Sequence, residues 1–290
     1  MAIPAPPTSA SIPVAAVQMN SRGDKAANVQ TALALIDRAA RTGARLICLP
    51  EIWTFMGDDE GTRANADPIP GPVTDQLAAK ARQHGVHLHA GSIHEQVGGE
   101  PRVRNTTVVI APSGEIVARY SKIHMFDVAL EGGESYRESS VVAPGDEIVT
   151  FDMDGVTVGL AICYDLRFPE LFRILALRGA EIVILPAAFT MRTGKDHWEV
   201  LIRARAIENQ VFMVAPGQHG TSNDKDWCYG RSTIVDPWGV VLATAPDVDA
   251  VITATLDLER LAAVRRQVPS LANRMPDRYA WPDQAMVGSR

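Results

Sequence analysis

The sequence has few cysteines and no long apolar run. Its 290 residues include only Cys48, Cys163 and Cys228, which are far apart in the chain. An odd, scattered set of this kind fits neither a disulfide framework nor a clustered zinc site, and it indicates a reducing, cytoplasmic setting. No segment approaches the roughly 18 apolar residues of a membrane span. The first residues, MAIPAPPTSASIP, lack the basic segment and the long apolar stretch of a signal peptide.

Basic residues are not in excess either. The 28 Lys and Arg residues and 34 Asp and Glu residues give a net charge of −6, and the two signs are interspersed. Without a basic patch, neither nucleic acid nor a membrane surface is an expected partner. With 46% hydrophobic and 21% charged residues, the composition is that of an ordinary globular protein.

Strand-like apolar runs alternate with helical patterns, which predicts an α/β fold of mixed sheets with helices stacked outside them. We expect a single domain over residues 13–280, with a flexible Pro-, Ala- and Ser-rich tail at 1–12 and a second tail at 281–290. Residues 127–140, rich in Gly and Glu, are predicted to form a long loop, which is often functional in compact domains. The predicted elements that bear on the site are strands at 14–18, 45–49, 86–93, 116–120 and 156–163, and a helix through 198–208.

The segment GLAICYDLRFPEL, residues 159–171, is the strongest local signal of chemistry. A buried strand runs up to Cys163, and Pro169 then begins a helix at a position where proline is well tolerated. A cysteine at such a turn has its sulfur at the mouth of the sheet, where nearby backbone N–H groups can face an oxyanion. The simpler interpretation is a buried structural cysteine.

Two other strand ends carry charged residues. In LICLPEIW, residues 46–53, the strand is followed by Glu51, whose carboxylate would be partly desolvated by the neighbouring Ile52 and Trp53 and so suited to general-base work. In RYSKIHMFD, residues 119–127, Lys122 follows a predicted strand. Taken singly, each is more simply a solvated strand-end charge.

Together the three residues meet the needs of amide hydrolysis through a thiol. Glu51 can deprotonate Cys163 and then protonate the leaving nitrogen. The positive charge of Lys122 can stabilise the oxyanion and favour the thiolate. All three follow predicted strands, at the edge where open α/β sheets bind their ligands.

These residues also carry a family resemblance. PE at 50–51, SKIHMFD at 121–127 and ICYDLRFPEL at 162–171 resemble the three signature motifs of the nitrilase superfamily of carbon–nitrogen hydrolases. The resemblance extends from Val14 to about Tyr279. It implies a four-layer αββα sandwich, no metal or cofactor, and homodimers or larger homo-oligomers that pair through the helices beside the nucleophile.

The resemblance assigns roles to residues of this chain. It makes Glu51 the base, Lys122 the oxyanion stabiliser and Cys163 the nucleophile, with the backbone N–H of Tyr164 as a second oxyanion donor.

A second glutamate is also expected in the loop after the lysine. Glu138, in YRES, is the better match and Glu131 the less favoured one; we expect this carboxylate to position Lys122 and the substrate nitrogen. Asp165 and Arg167 are expected to brace the nucleophile turn.

Residues 187–210 and 229–243 look most like the amidase branch that holds omega-amidases and deaminated glutathione amidases. The chain departs from that branch at residues 194–196, Gly-Lys-Asp, in a predicted loop at the pocket mouth. The expected function is a thiol amidohydrolase that cleaves a small carboxylate-bearing amide through a Cys163 acyl-enzyme and releases ammonia. Alternatives are a nitrilase or N-carbamoyl amino acid hydrolase on the same scaffold and, more remotely, a non-catalytic binding protein.

A substrate carboxylate calls for an arginine partner. Arg192 is the first candidate and Arg231 the second, and each is otherwise a surface or interface charge. Phe189, Trp53 and Tyr164 are candidate apolar pocket walls.

Histidines at 87, 89 and 94 suggest a metal site at first sight, but no further ligand has a suitable spacing. Half-exposed strand histidines are the simpler interpretation, and no metal is expected.

Overall fold

The computed structural model describes residues 10–129, 135–222 and 227–280. Glu131, most of the predicted N-terminal tail and the predicted C-terminal tail lie outside these residues. The α-helices of the described part are α1 (Lys25–Ala40), α2 (Asp59–Ala64), α3 (Pro72–His84), α4 (Pro169–Leu177), α5 (Met191–Asn209) and α6 (Leu258–Gln267). None of these helices combines the length and the apolar character needed to cross a membrane.

The strands divide into two large sheets and two short hairpins. They are β1 (Ser11–Gln18), β2 (Leu46–Cys48), β3 (His87–His89), β4 (Ile93–Glu95), β5 (Arg104–Ile110), β6 (Ile116–Ser121), β7 (Asp127–Ala129), β8 (Ser135–Arg137), β9 (Thr150–Met153), β10 (Val156–Leu160), β11 (Ile182–Ile184), β12 (Phe212–Ala215), β13 (His219–Thr221), β14 (Trp227–Tyr229), β15 (Thr233–Val235), β16 (Val241–Thr244) and β17 (Ala250–Asp257).

The first sheet has the order β17-β1-β2-β3-β5-β4, with β6 paired to β5, and the second has the order β16-β15-β12-β11-β10-β9. Strands β1, β2 and β3 are parallel, as are β10, β11 and β12. The carboxyl ends of these two parallel groups lead to Glu51 and Cys163, whereas Lys122 follows β6, which pairs antiparallel with β5. The hairpins are β7–β8 and β13–β14.

Alternate residues of β1 show why the sheets stack. Val14 and Ala16 lie in the core shared with the second sheet, whereas Ala15 and Val17 lie in a second core with α1 and α3. This period of two is that of a strand buried on both faces. Because α4 and α5 cover the outer side of the second sheet, the layers run helix, sheet, sheet, helix. The predicted αββα sandwich is confirmed.

Local sequence explains the helix ends. The Asp24 side chain caps α1 by accepting from the Ala27 N–H. Pro72 and Pro169 occupy the first turns of α3 and α4, where no N–H is needed. Gly85 ends α3 with φ of 64°, the left-handed conformation that glycine adopts without strain.

Four predicted boundaries differ from the structure. Strand β1 begins at Ser11, so residues 11 and 12 belong to the sheet and not to the tail. The predicted strand 86–93 is divided into β3 and β4, and the predicted loop 127–140 contains the hairpin β7–β8. Helix α5 already begins at Met191, so the predicted loop 191–196 is its first turns.

Gly91 accounts for the break between β3 and β4. Its φ is 62°, and a side chain there would meet the Pro50 carbonyl oxygen at 2.0 Å. The close approach also lets the Ser92 hydroxyl accept from the Ile52 N–H at 3.0 Å. The break therefore supports the turn that carries Glu51.

Candidate active site

Three strand ends converge between the two sheets. Glu51 follows β2, Lys122 follows β6, and Cys163 follows β10. All three side chains are buried, with Lys122 only 2% exposed. A buried lysine is rare unless it is paired, so the surroundings of this ammonium define the site.

Lys122 lies between two carboxylates. Its Nζ is 3.2 Å from Glu51 Oε1 and 2.9 and 2.8 Å from the two oxygens of Glu138. Burial by itself lowers the pKa of Lys122, but Glu138 and Glu51 together raise that pKa well above its ordinary value. Lys122 is therefore a fixed positive charge at any physiological pH.

Both oxygens of Glu51 are held. Oε1 accepts from Asn105 Nδ2 at 2.9 Å, in addition to Lys122. Oε2 accepts from the Ala188 backbone N–H at 2.6 Å. Because Ala188 belongs to the second sheet's side of the site, the carboxylate bridges the two sheets. The backbone turns sharply at Ile52, where φ is 42°.

Glu138 comes from the short 3-10 helix Glu138–Ser140 that follows β8. Its Oε2 accepts from the Phe126 backbone N–H at 2.6 Å, which orients the carboxylate toward Lys122. The structure thus brings Glu138 into contact with Lys122.

Cys163 begins a 3-10 turn, Cys163–Arg167, with φ of 47°. A left-handed conformation is strained for cysteine and is found mostly where function requires it. The Cys163 N–H donates to the Pro186 carbonyl at 2.9 Å. The next N–H, that of Tyr164, has no acceptor within the described ranges, as expected for the first turn of a helix. This free donor lies beside the sulfur.

The surroundings of Cys163 favour the protonated thiol. Burial raises the pKa of Cys163, the Glu51 carboxylate raises it further, and Lys122 opposes both; the result is a pKa well above the ordinary value. Lys122 does favour the thiolate, as predicted, but it is outweighed. A base must therefore remove the proton when the thiol reacts.

Asp165 stabilises the nucleophile turn through buried hydrogen bonds. The buried carboxylate accepts from the Tyr120 hydroxyl at 2.6 Å and the Ile162 N–H at 2.8 Å. It also lies 2.7 Å from His124 Nδ1. Arg167, by contrast, packs its guanidinium over the Tyr164 ring, with Cζ 5.8 Å from the ring centroid.

A cavity of about 360 Å³ opens at these residues, within the size range of small-molecule sites. Glu51, Lys122, Glu138 and Cys163 lie along its wall. The side chains that complete it are mostly apolar or aromatic: Ile52, Phe55, Met56, Phe126, Tyr136, Val141, Val142, Tyr164, Phe189 and Trp227. Phe189 and Tyr164 are thus pocket walls.

Trp53 and Arg192 do not line this cavity. After the turn at Ile52, the Trp53 side chain enters the core beneath α1, fully buried, and its Nε1 donates to the Ala90 carbonyl at 2.7 Å. Arg192 lies on the exposed first turn of α5. Arg231 also points elsewhere, to an exposed ion pair with Asp247.

Sequence reasoning missed several residues of the site, four of which bear on its polar contacts. Arg137 and His94 line the cavity, and Asn105 and Ala188 hold Glu51. The position of Arg137 next to Glu138 was an available signal. The others had none, because a backbone donor and a residue brought in by strand pairing leave no local pattern.

Over the ranges that the structure describes, no three His, Cys, Asp or Glu side chains are grouped as metal ligands would be. His89 is instead fully buried with its Nδ1 accepting from the Gly91 N–H.

Comparisons of sequence agree with the geometry. The sequence profile of the carbon–nitrogen hydrolase family matches residues 13–266. A deaminated glutathione amidase from Synechocystis sp. (strain PCC 6803 / GT-S) is 42% identical over 265 residues, which are 90% of this chain and 97% of that protein. Omega-amidase NIT2 from Homo sapiens is 38% identical over 267 residues, 92% of this chain and 96% of the relative.

Solved structures agree as well. The C. elegans NitFhit protein superposes with a TM-score of 0.88 and 35% identity over 93% of this chain and 66% of its own, so this chain spans about two thirds of that protein. Saccharomyces cerevisiae Nit3, described as a member of branch 10 of the nitrilase superfamily, superposes with a TM-score of 0.82 and 31% identity, covering 91% of this chain and 97% of Nit3.

Proposed function

The chain belongs to the carbon–nitrogen hydrolase family, and from that premise we propose that it is a thiol amidohydrolase of small carboxylate-bearing amides with Cys163 as its nucleophile. The observation that carries this proposal is the buried cluster in which Lys122 bridges two carboxylates beside the Cys163 thiol. The curated relatives named as deaminated glutathione amidase and omega-amidase support the substrate class.

The acylation step uses Glu51 first as a base and then as an acid. Glu51 takes the thiol proton as Sγ attacks the amide carbon. The oxyanion that forms is stabilised by Lys122 Nζ and by the free N–H of Tyr164. Glu51 then gives the proton to the departing nitrogen, the C–N bond breaks, and a thioester remains on Cys163. A primary amide releases ammonia, and a substituted amide releases an amine.

Deacylation runs the same groups in reverse. Glu51 takes a proton from water, the resulting oxygen nucleophile attacks the thioester, and the carboxylic acid leaves as the thiol is re-formed. Glu138 keeps Lys122 in place through both steps, and its oxygen beside Nζ suits it to position the substrate nitrogen. Since Lys122 remains charged, it serves as an oxyanion partner and not as the base.

Arg137 replaces Arg192 as the proposed partner of the substrate carboxylate. It lines the cavity and directly precedes Glu138. Its side chain is exposed at the opening, so a carboxylate bound there stays at the cavity mouth while the amide reaches Cys163. A guanidinium binds a carboxylate through two parallel hydrogen bonds.

A homodimer belongs to the same proposal. Large apolar side chains are exposed on the two helices that cover the second sheet, close to the nucleophile turn: Ile174 and Leu177 on α4, and Val200 and Ile207 on α5. Clustered exposed apolar residues mark association surfaces. Light scattering of the purified chain and of Leu177→Glu tests this, since the charge should yield a monomer. A cytoplasmic location is also proposed, because none of the three cysteines is in a disulfide.

The test of the function is acid product formation on a substrate panel. It holds deaminated glutathione, the ω-amide of a 2-oxo acid, a simple aliphatic amide, a nitrile and an N-carbamoyl amino acid, each with the wild type and with Cys163→Ala. We expect cysteine-dependent hydrolysis of one of the first two. Turnover of the nitrile alone, or of the N-carbamoyl amino acid alone, would assign the chain as a nitrilase or as an N-carbamoyl amino acid hydrolase. No turnover of any of the five compounds would contradict the proposal.

A further inference from the structure

Gln218 is a buried residue at the junction of the two sheets, and the proposed mechanism gives it no task. It lies between β12 and β13, is 1% exposed, and forms a parallel bridge with Met19, which follows β1 of the first sheet. Its backbone N–H donates to the Ala187 carbonyl oxygen at 2.8 Å, in the segment that follows β11 of the second sheet. Gln218 therefore contacts the extensions of both sheets.

The side chain of Gln218 holds the main chain of the proposed base. Its Nε2 donates to the Glu51 carbonyl oxygen at 2.9 Å and to Ser21 Oγ at 2.9 Å. Its Oε1 accepts from the Ser21 backbone N–H at 3.0 Å, and this partner fixes which end of the amide is the oxygen. Both N–H groups of the buried amide are thus used, and one of them is directed at the backbone of Glu51.

The peptide bond between Glu51 and Ile52 is held at both ends. Gln218 donates to its carbonyl oxygen, and its N–H donates to Ser92 Oγ at 3.0 Å. The peptide leads into Ile52, whose φ of 42° is in the left-handed region, where a β-branched residue is strained. Strain of this kind persists only where the surroundings determine the conformation. Without Gln218, the peptide could relax and carry the Glu51 side chain with it.

A second peptide bond links Gln218 to the carboxylate of Glu51. The Ala187 carbonyl that accepts from the Gln218 N–H belongs to the same planar peptide as the Ala188 N–H, which donates to Glu51 Oε2 at 2.6 Å. Hydrogen bonds connected in this way polarise and strengthen one another. One residue therefore contacts both the main chain of the base and the peptide that orients its carboxylate.

We propose that Gln218 is a positioning residue that holds Glu51 at the Cys163 thiol by fixing these two peptides. The inference rests on the proposed function, since Glu51 is the base of that reaction. Proton transfer needs the base within hydrogen-bond reach of the thiol, and a misplacement of about 1 Å can cost about 10²-fold in rate. Because Gln218 does not line the cavity, it acts on the chemical step through Glu51 and not on substrate binding.

Gln218→Met tests the proposal, because it keeps the length of the side chain and removes its polar atoms. We expect kcat for the best amide to fall about 10- to 100-fold, since the base is misplaced. KM should stay within about twofold of the wild-type value, since the cavity wall is unchanged.

The matched control is Ser21→Ala. It removes a hydroxyl from the same buried cluster, with its bonds to Gln218 and to the Trp53 carbonyl, but leaves the bond from Gln218 to Glu51 in place. Urea unfolding should show comparable losses of stability in the two variants, whereas kcat of Ser21→Ala should stay within about threefold of the wild type.

Alkylation of Cys163 by iodoacetamide across pH gives a readout that a merely structural role would not move. The Glu51 carboxylate raises the pKa of Cys163, so displacement of Glu51 in Gln218→Met should shift the alkylation profile to lower pH. In the Glu51→Gln background, where that carboxylate is absent, Gln218→Met should cause no further shift. Alkylation of the fully buried Cys48 should remain negligible in each folded variant.

Three results would overturn the inference: an unchanged kcat in folded Gln218→Met, equal losses of kcat in Gln218→Met and Ser21→Ala, or the same shift of the alkylation profile with and without the Glu51 carboxylate. If Gln218→Met does not fold, Ser92→Ala releases the other end of the same peptide and should produce the same fall in kcat and the same shift; an unchanged profile there would overturn the inference. If the wild type hydrolyses no amide, the proposed function has failed, while the alkylation profiles still test whether Gln218 positions Glu51.

Discussion

The backbone N–H of Ala188 donates to Glu51 Oε2 across a distance of 2.6 Å. Glu51 follows β2 of the first sheet and Ala188 follows β11 of the second, so this bond joins the sheets at the cavity. With its other oxygen facing Lys122 and Asn105, the carboxylate has one orientation. A base held in this way does not need to reorganise when the thiol reacts.

The raised pKa of Cys163 predicts an alkaline alkylation profile. With iodoacetamide, the rate at Cys163 should still be rising above pH 8, because the thiolate is scarce while burial and Glu51 raise the thiol pKa. Glu51→Gln removes a negative charge and should shift the profile to lower pH. Lys122→Met removes the opposing positive charge and should shift it to higher pH.

Peptide mass spectrometry follows Cys163 separately, and Cys48, whose thiol pKa is raised far above its ordinary value by complete burial, serves as the inert internal control. A wild-type rate that levels off by pH 7 would show a preformed thiolate and contradict this account.

The Lys122–Glu138 pair predicts non-additive stability. Lys122→Met leaves two buried carboxylates without their cation and should cost about 3–5 kcal/mol of unfolding free energy. Adding Glu138→Gln to that variant removes one uncompensated charge, so the double variant should be more stable than the single one. Urea unfolding measures both. Strict additivity of the two changes in unfolding free energy would rule out the coupling. Lys122→Met should also lower kcat about 10²–10³-fold, because an oxyanion donor is lost.

Arg137 predicts a change in KM. Arg137→Gln should raise KM for a carboxylate-bearing amide about tenfold or more, because a charge-assisted bond to a carboxylate is lost. Its matched control is Arg192→Gln, on the exposed turn of α5 outside the cavity, which should leave KM unchanged. KM for a simple aliphatic amide without a carboxylate should stay the same in both variants. The opposite ranking of the two arginine variants would return Arg192 to the site.

Buried histidines predict acid sensitivity. Burial lowers the pKa of His89 to about 3, whereas the unfolded residue titrates at about 6.5. Below pH 6.5 the unfolded state therefore binds more protons than the folded one, and stability falls as the pH falls toward 3. From pH 6.5 to 5 we expect a loss of about 2 kcal/mol for such a histidine.

Urea midpoints across that window measure the effect. His94→Leu should weaken the dependence of the urea midpoint on pH, because burial also lowers the pKa of His94, to about 4. The exposed His197→Gln is the control and should leave that dependence unchanged. A midpoint that stays constant or rises as the pH falls would contradict the prediction.

Sequence reasoning located the strand-end residues because their signals are local. An apolar run followed by Pro-Glu, or by a cysteine and a later Pro169, specifies where a side chain leaves the sheet. The layered fold followed from the same alternation. Contacts such as Asn105 to Glu51 required strand pairing over many residues, which no local pattern encodes.

Arg192 lies outside the cavity for a different reason. The predicted loop 191–196 forms the first turns of α5, and a Cβ on Gly194 within it would meet the Tyr229 side chain at 2.4 Å. The glycine serves close helix packing, not a turn. With the segment helical, Arg192 is exposed and lies outside the cavity, whereas Arg137, at the end of β8, lines it.

The acyl-enzyme itself tests the central claim most directly. Intact-protein mass spectrometry after rapid acid quenching of the wild type with its best amide should show the added mass of the acyl group, located by peptide mapping to Cys163 and absent from Cys163→Ser. Turnover without any adduct on Cys163, or an adduct elsewhere that persists in Cys163→Ser, would contradict the mechanism.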